Sequence, residues 1–383
     1  MNKNRIAALL VLASFSLAAC APDNQESASS TTADSQQAST AESTAVSESA
    51  APADITIAEG KDTAATPEAG TLFMRQMYTA PHGTKSFAAV NVIMNGDTIV
   101  SARLDEFQYL EPSDDLKAVP NADAGFGEAF PDNTILASKH ENNDLYSTMM
   151  ADHAGATQTW QASMDAITEF VKGKTAVELK EVVQTLEAQG ENGNPADVVS
   201  GATFTDTRGY LQAIVDTAEN GMISVGAQSA ATELLEAQTL SAPHGDKSFA
   251  ITTVALDGDK IAAVFLDEFQ YVDAVAFGGV PNSDTDFGTG VKDGLVLASK
   301  VANNDAYSAM MAEKGGATQK YAENMKAVET FAIGKTIAEI ESALAELEAQ
   351  GEDGTPADVV SGATFSDTAG YLKTILEAAQ QAQ

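Results

Sequence analysis

The feature that most constrains this chain is an internal repeat that spans most of its 383 residues. The sequence Ala-Pro-His-Gly at 80–83 recurs at 242–245, and Leu-Asp-Glu-Phe-Gln-Tyr at 104–109 recurs at 266–271. These matches lie 162 positions apart, whereas those from residue 137 onward lie 161 apart, so one residue was lost in between. A period this long indicates two duplicated domains, because solenoid repeats are only about 20–45 residues long.

Each copy begins with β-type sequence and continues with helical sequence. In the first copy, strands are predicted over 86–94 and 98–107, separated by an Asn-Gly-Asp turn. Helices are predicted over 146–151, 158–171 and 175–189, the last opening with a capping box. Strands followed by helices predict an α+β fold. We place the two domains at 71–220 and 232–383, joined by the residues between them.

A seven-residue sequence, Asp-Val-Val-Ser-Gly-Ala-Thr, occurs unchanged in both copies, at 197–203 and 358–364. Its small residues let a ligand approach the backbone, and a helix-like segment follows it, whose first N–H groups would attract an anion. The sequence therefore predicts a phosphate-binding site in each copy. The candidate residues are Asp197, Ser200, Gly201, Ala202, Thr203, Asp358, Ser361, Gly362, Ala363 and Thr364.

The alternative interpretation of this heptad is a turn with a helix cap that survived the duplication, because Ser, Thr and Asp favour helix starts. Two further Gly-Ala-Thr triplets, at 155–157 and 316–318, follow Ala151 and Ala312 where the heptad has Asp. We therefore do not predict sites at these triplets.

The heptad resembles the Asp-x-x-[Ser/Thr]-Gly-Ala-Thr signature of covalent FMN-binding domains. Such domains occur in the C subunit of sodium-pumping NADH:quinone reductase and in the G subunit of its electron-bifurcating relatives. The resemblance implies two FMN groups, linked by phosphodiester bonds to Thr203 and Thr364 and attached by an FAD-dependent FMN transferase. It also implies that the transferase recognises Asp197 and Asp358, while local chemistry predicts that these carboxylates cap the turn and hold the Ser and Thr.

The N-terminal sequence has a pattern that is typical of a targeting segment. Lys3 and Arg5 precede an apolar run, and Leu-Ala-Ala-Cys ends at Cys20, the only cysteine of the chain. This pattern resembles a bacterial lipobox, which implies that residues 1–19 are a signal peptide and that Cys20 carries lipid. The alternative is an ordinary secretory peptide. Since no other run reaches the length of a membrane span, we expect attachment to the cell membrane by the lipid alone, on its extracellular face.

Residues 20–70 have the composition of a disordered tether. They contain nine acidic residues, one lysine and no aromatic residue, so they bury too little apolar surface to fold. The formal charge of the chain is −34 and basic residues do not cluster, which argues against nucleic acid as a partner. With Cys20 lipidated no thiol remains, so we expect any redox chemistry to come from a bound cofactor.

Aromatic, Met and His residues that recur in both copies are candidates for contact with a flavin ring, and the alternative, which the sequence favours for the aromatic and Met residues, is core packing. The two His residues could bind a ring edge or a phosphate, or form a turn. No catalytic triad, metal-ligand cluster or acid–base carboxylate pair stands out, so we expect an electron carrier. The candidates are His82, Met149, Met150, Trp160, Phe204, Tyr210, His244, Met310, Met311, Tyr321, Phe365 and Tyr371.

The combination of lipobox, tether and two heptads resembles the PplA-type surface flavolipoproteins of Gram-positive bacteria. This resemblance implies electron transfer from the membrane quinone pool, through a quinone-oxidising partner and the two FMN groups, to external flavins or ferric iron. Two alternatives remain open. The chain could bind a phosphorylated or flavin-like solute reversibly, or its signal peptide could release a peptide pheromone.

Overall fold

The computed structural model describes residues 66–190, 193–351 and 354–383. All of them belong to one compact unit. The predicted signal peptide, Cys20 and the predicted tether as far as residue 65 lie outside the described residues. Within the described ranges, no helix is both long enough and apolar enough to cross a membrane.

The first repeat places its strands before its helices, as predicted. Its apolar runs are continuous because both faces of the strands are buried, as in β2 and most of β1. A short strand, β5, follows the last helix. The elements are β1 (Thr71–Thr79), β2 (Ser86–Asn95), β3 (Thr98–Leu110), β4 (Ile135–Ser138), α1 (Asn143–Ala154), α2 (Trp160–Val171), α3 (Ala176–Gln189), α4 (Thr207–Asn220) and β5 (Met222–Gln228).

The second repeat has the same order of elements, with four strands and four helices. The predicted capping box is present at the start of α3, and the equivalent box is present at the start of α7. The elements are β6 (Leu235–Ser241), β7 (Ser248–Asp257), β8 (Lys260–Asp273), β9 (Leu295–Ser299), α5 (Asn304–Gly315), α6 (Tyr321–Ala332), α7 (Ile337–Gln350) and α8 (Thr368–Gln381).

Each repeat forms an antiparallel sheet. The first has the order β4-β3-β2-β1-β5 and the second β6-β7-β8-β9. Strand β5 lies in the segment that the sequence predicted to join the repeats, and it pairs with β1. The first repeat therefore extends to Gln228, because its sheet recruits this segment as an edge strand.

The two faces of each sheet have different neighbours. On β2, Ala88, Val90 and Val92 belong to a core shared with α2 and α4. Phe87 and Ala89 point the other way, into a core shared with the second repeat. Helices thus cover the outer face of each sheet and the two sheets face each other. This arrangement confirms the α+β class, while the division into two separate domains stays a prediction.

Contacts between the repeats are reciprocal. The Asn121 side chain donates to the carbonyl oxygens of Gly245 and Ser248, and the equivalent Asn282 donates to those of Gly83 and Ser86. The paired hydroxyls of two equivalent tyrosines, at 109 and 271, also join the repeats. The repeats are therefore related by approximate two-fold symmetry, which places their two candidate sites in equivalent positions.

Candidate functional site

The heptad is anchored in the core by its apolar residues. A short 3-10 turn, Pro195–Asp197, leads into it. Val199 and Ala202 are fully buried, whereas Ser200 and Thr203 are exposed. The second copy has the same pattern of burial. The core thus holds the loop in place while its hydroxyl groups remain accessible.

The glycine of the heptad is required by the backbone. Gly201 has φ +88°, in the region that favours glycine, and a Cβ there would lie 3.1 Å from that of Ala166. The Gln158 side chain donates to the Gly201 carbonyl oxygen at 2.9 Å. Gly362 has φ +87° and accepts from Gln319 at 2.7 Å. The same loop conformation is therefore built twice.

A buried polar side chain contacts each heptad threonine. In the first repeat, the hydroxyls of Thr203 and Ser163 are 3.0 Å apart. In the second, Asn324 Oδ1 accepts from the backbone N–H of Thr364 at 2.6 Å and from its hydroxyl at 3.0 Å. Ser163 and Asn324 occupy equivalent, fully buried positions on α2 and α6. These contacts orient hydroxyl groups that are otherwise open to solvent.

The expectation that a helix follows the heptad at once is wrong. Helices α4 and α8 begin at Thr207 and Thr368, four positions after the heptad threonine. The residues in between form a turn, in which the Thr207 N–H and hydroxyl both donate to the Phe204 carbonyl oxygen. The helix N–H groups therefore begin beyond Thr203 in the chain, and the argument for an anion site at the helix start is lost.

The aspartates of the heptad lie outside the cluster of candidate residues. Asp197 is exposed, and its carboxylate accepts a hydrogen bond from the Asn194 side chain at 3.1 Å. The expected hold on Ser200 and Thr203 is replaced by the contact of Thr203 with Ser163. Asp358 is likewise exposed. Exposure leaves both carboxylates accessible to another protein.

A cavity of about 520 Å³ adjoins Thr203. It collects every first-repeat residue that the sequence nominated for contact with a ring. Thr203 is the one heptad residue in its lining, so Ser200, Gly201 and Ala202 act by shaping the loop. The lining includes His82, Gln108, Lys139, Tyr146, Met149, Met150, His153, Thr157, Trp160, Thr203, Phe204, Asp206 and Tyr210.

An equivalent cavity of about 340 Å³ lies in the second repeat. It too collects all the second-repeat ring candidates. Phe365 lines it, whereas Thr364, the preceding residue, does not. The lining includes His244, Lys300, Tyr307, Met310, Met311, Lys314, Tyr321, Phe365, Asp367 and Tyr371.

Each cavity contains a buried lysine that the sequence analysis missed. Lys139 Nζ donates to Glu106 Oε2 at 2.8 Å, and both side chains are at most 1 % exposed. Burial lowers the pKa of Lys139, but the Glu106 carboxylate and Tyr146 more than compensate, so the pKa is raised and the lysine stays charged. Lys300 has the same pairing with its own glutamate at 2.8 Å.

Aromatic residues surround this lysine. Lys139 Nζ lies 4.6 Å from the centre of the Tyr146 ring. The Tyr210 hydroxyl donates to Glu106 Oε2 at 2.9 Å, and burial first of all raises the pKa of Tyr210 well above its ordinary value. The available signal was the recurrence of Ala-Ser-Lys and Leu-Asp-Glu-Phe-Gln-Tyr in both copies. These sequences place Glu106 on β3 and Lys139 directly after β4, the strand that pairs with β3.

A histidine–aspartate pair lines each cavity. His82 Nδ1 lies 2.8 Å from Asp206 Oδ2. The turn that carries His82 packs against α4 so closely that a Cβ on Gly209 would lie 2.5 Å from the Pro81 carbonyl oxygen. The hydrogen bond to His82 lowers the pKa of Asp206, against the opposing effect of burial. The contact brings the start of the sheet to the residues that follow the heptad.

The Gly-Ala-Thr triplet at 155–157, for which no site was predicted, lines the first cavity. Gly155 has φ +66° and ends α1 in the left-handed conformation. The following residues connect α1 to α2 along the edge of the cavity. Tertiary packing thus gives this triplet a place in the site that its sequence does not indicate.

Among residues 66–190, 193–351 and 354–383, no group of three or more His, Cys, Asp or Glu side chains could hold a metal ion. No protein-family model, curated protein or solved structure matches the chain. The chemistry of the two cavities is therefore the basis for a functional proposal.

Proposed function

We propose that this chain carries FMN covalently on Thr203 and Thr364 and transfers electrons between a membrane-associated donor and an external acceptor. The main supporting observation is a coincidence that occurs twice. In each repeat, an exposed, oriented threonine adjoins or directly precedes the lining of an aromatic cavity that contains a buried lysine.

The residues of the cavities suit FMN. The two cavities have volumes of about 520 and 340 Å³, within the roughly 300–1,000 Å³ of small-molecule sites. Aromatic and thioether side chains pack well against a flat ring system. Trp160 also carries a buried N–H that has no partner among the described residues, as expected where a ligand supplies the acceptor.

Each protein group has a definite part in this proposal. Thr203 Oγ1 would carry the phosphate, and Ser163 would fix the orientation of that oxygen. Lys139 supplies a positive charge that favours an electron-rich ring, and Glu106 with Tyr210 holds the lysine in position. Phe204, which follows the threonine, shields the cavity from water.

Flavin suits electron transfer because it accepts electrons singly or in pairs. We propose a quinone-oxidising membrane partner as donor, free flavins or ferric iron as acceptors, and an FAD-dependent FMN transferase as the modifying enzyme. In this proposal, lipid on Cys20 holds the protein at the extracellular face of the cell membrane.

Intact mass spectrometry tests the attachment. Protein made with an FMN transferase should gain two increments of about 0.44 kDa, the mass of a phosphodiester-linked FMN. Thr203→Ala and Thr364→Ala should each remove one increment, whereas Thr157→Ala, in the same cavity as Thr203, should remove none. Ferric reduction by cells with both threonines replaced should fall to the level of cells without the protein. Normal reduction by these cells would refute the electron-carrier role.

The second candidate is reversible binding of a flavin-like solute. It is supported by the preformed cavities and by the His82–Asp206 pair and Lys139, which can bind a polar ligand without a covalent bond. An anion site at a helix start does not support this candidate, because α4 begins beyond the heptad. A ligand that dialyses away and leaves the protein mass unchanged would favour it.

A further inference from the structure

The two cavities differ at one buried aromatic position. The first contains Trp160 and the second contains Tyr321, each 1 % exposed at the start of the equivalent helix. The Tyr321 hydroxyl donates to Glu268 Oε2 at 3.1 Å. The Trp160 indole N–H has no hydrogen-bond partner within the described part of the chain.

An unpartnered N–H in a buried position is unfavourable. The desolvated donor loses its hydrogen bonds to water and gains none in return, and native structures contain few such groups. Trp160 lines the first cavity, so a ligand there can supply what the protein does not. Because the indole nitrogen can only donate, the missing partner must be an acceptor. The carbonyl oxygens and N1 of a flavin are acceptors of this kind in both the oxidised and the reduced ring.

We propose that the Trp160 indole N–H donates a hydrogen bond to an acceptor atom on the flavin ring in the first cavity. This inference rests on the proposed function and deepens it, because it makes the two flavin sites chemically different. The tyrosine hydroxyl at the equivalent position is already used by Glu268.

The hydrogen bond would make the first flavin easier to reduce than the second. The carbonyl oxygens and N1 of the ring become more negative when the flavin is reduced, and hydrogen bonds to charged acceptors are stronger than those to neutral ones. Trp160 therefore stabilises the reduced form and raises the reduction potential of the first flavin. The cavities also differ at His153 and Lys314, but both side chains are exposed, so solvent screens their charges.

Glu106 is a competing acceptor, because its equivalent, Glu268, accepts from Tyr321 at the position equivalent to Trp160. Glu106 Oε1 is buried and also has no partner among the described residues. A small rearrangement that joined it to the indole would satisfy both groups without a ligand. In that case, flavin in the first cavity would leave the indole hydrogen bond, and therefore the exchange rate of the indole N–H, unchanged.

The test uses the fact that Trp160 is the only tryptophan of the chain. Its indole N–H gives a single NMR resonance that reports on the first cavity alone. Thr364→Ala restricts covalent FMN to the first site and Thr203→Ala restricts it to the second. Each variant is prepared with and without transferase, and its flavin content is established by mass.

We expect loading of the first site to slow hydrogen exchange of the indole N–H and to shift its resonance downfield, and to shift it further when the flavin is reduced. Loading of the second site should leave it unchanged. Trp160→Phe in the Thr364→Ala protein should lower the flavin midpoint potential, because the reduced form loses about threefold to tenfold in binding relative to the oxidised form.

Two further variants make the result specific. Trp160→Tyr gives the first cavity the side chain of the second and should lower the potential by a similar amount. Ile167→Val changes a buried residue on the same helix that does not line the cavity, removes no donor and should leave the potential nearly unchanged. If flavin is attached to Thr203 but indole exchange and potential do not respond, the inference is wrong and the proposed function stands. If no flavin is attached, both are wrong.

Discussion

The two repeats agree in backbone and ion pair but differ in the polar groups around the pair. In the described part of the chain, Glu268 accepts hydrogen bonds from Lys300, Tyr321, Tyr371 and Ser248. Glu106, its equivalent, accepts from two donors and keeps one oxygen without a partner. Duplication has therefore conserved the position of the charge while its hydrogen-bond environment diverged. The backbone scaffold and the hydrogen-bond environment of the sites can therefore change independently.

Replacement of the buried lysines should cause the largest loss of unfolding free energy, and this loss should differ between the two repeats. Lys139→Met leaves Glu106 buried with one remaining donor, Tyr210, whereas Lys300→Met leaves Glu268 with three. Breaking a buried ion pair by removing one partner costs about 3–5 kcal/mol. We expect Lys139→Met near the upper end of this range and Lys300→Met near the lower end, measured by urea unfolding.

The control is an exposed ion pair. Lys180 Nζ lies 2.6 Å from Glu219 Oε1, and both side chains are at least 36 % exposed. Lys180→Met should cost below about 1 kcal/mol. Equal losses for Lys139→Met and Lys300→Met would show that the additional donors to Glu268 do not matter, and the comparison between the repeats would collapse.

The second largest loss of stability, caused by alanine at a closely packed glycine, should be the same in both repeats. Gly209→Ala and Gly370→Ala would each place a Cβ 2.5 Å from a carbonyl oxygen, that of Pro81 or Pro243. The backbone must shift to relieve this contact, at a cost of about 1–3 kcal/mol. Thermal unfolding of the two variants measures it. Gly155→Ala, which meets no atom within 4 Å, isolates the cost of a positive φ from that of a clash. A tolerated alanine at 209 would show that the turn at Pro81 is free to move.

A smaller, symmetric effect is expected at the capping boxes. Thr175 and Glu178 exchange hydrogen bonds at the start of α3, as do Thr336 and Glu339 at the start of α7. Thr175→Ala and Thr336→Ala should each cost about 1 kcal/mol, the usual loss for an N-cap hydroxyl. Chemical denaturation can resolve this change, and Thr→Ser at the same positions should restore most of the stability. A loss confined to one repeat would contradict the symmetry.

Local features of the fold could be predicted from the sequence. The hairpin at Gly96, the capping boxes and the α+β class depend on neighbouring residues, whose conformational preferences are readable directly. Strand β5 could not be predicted, because a segment of seven residues becomes a strand only where β1 offers an unpaired edge.

The site was predictable as a set of residues but not as an arrangement. The repeated aromatic, Met and His residues do line the cavities, since repetition marks them in the sequence. Lys139 was missed because its role depends on Glu106, thirty-three positions away and on a neighbouring strand. Ser163 and Asn324 were missed for a different reason: they differ between the repeats, so no repetition marks them.

The smallest expected effect concerns the pair His244–Asp367, whose Nδ1 and Oδ2 lie 2.7 Å apart. The hydrogen bond to Asp367 raises the pKa of His244 against the effect of burial, and the same bond lowers the pKa of Asp367. Stability from the histidine is present in full below its unfolded pKa of about 6.5 and is lost as the pH rises through the raised value. Stability from the aspartate is present above about 3.9 and is lost as the pH falls through the lowered value.

The pair should therefore contribute most between about pH 4 and about pH 6.5. Since the side chains are 49 % and 38 % exposed, solvent limits the contribution to below about 1 kcal/mol. Subtracting the unfolding free energy of Asp367→Asn from that of the wild type, from about pH 3 to about pH 9, gives this contribution directly. A difference that stays constant as the pH rises through and above about 6.5 would contradict a protonated histidine, and the pair would then act as a neutral hydrogen bond that positions the turn beside the second cavity.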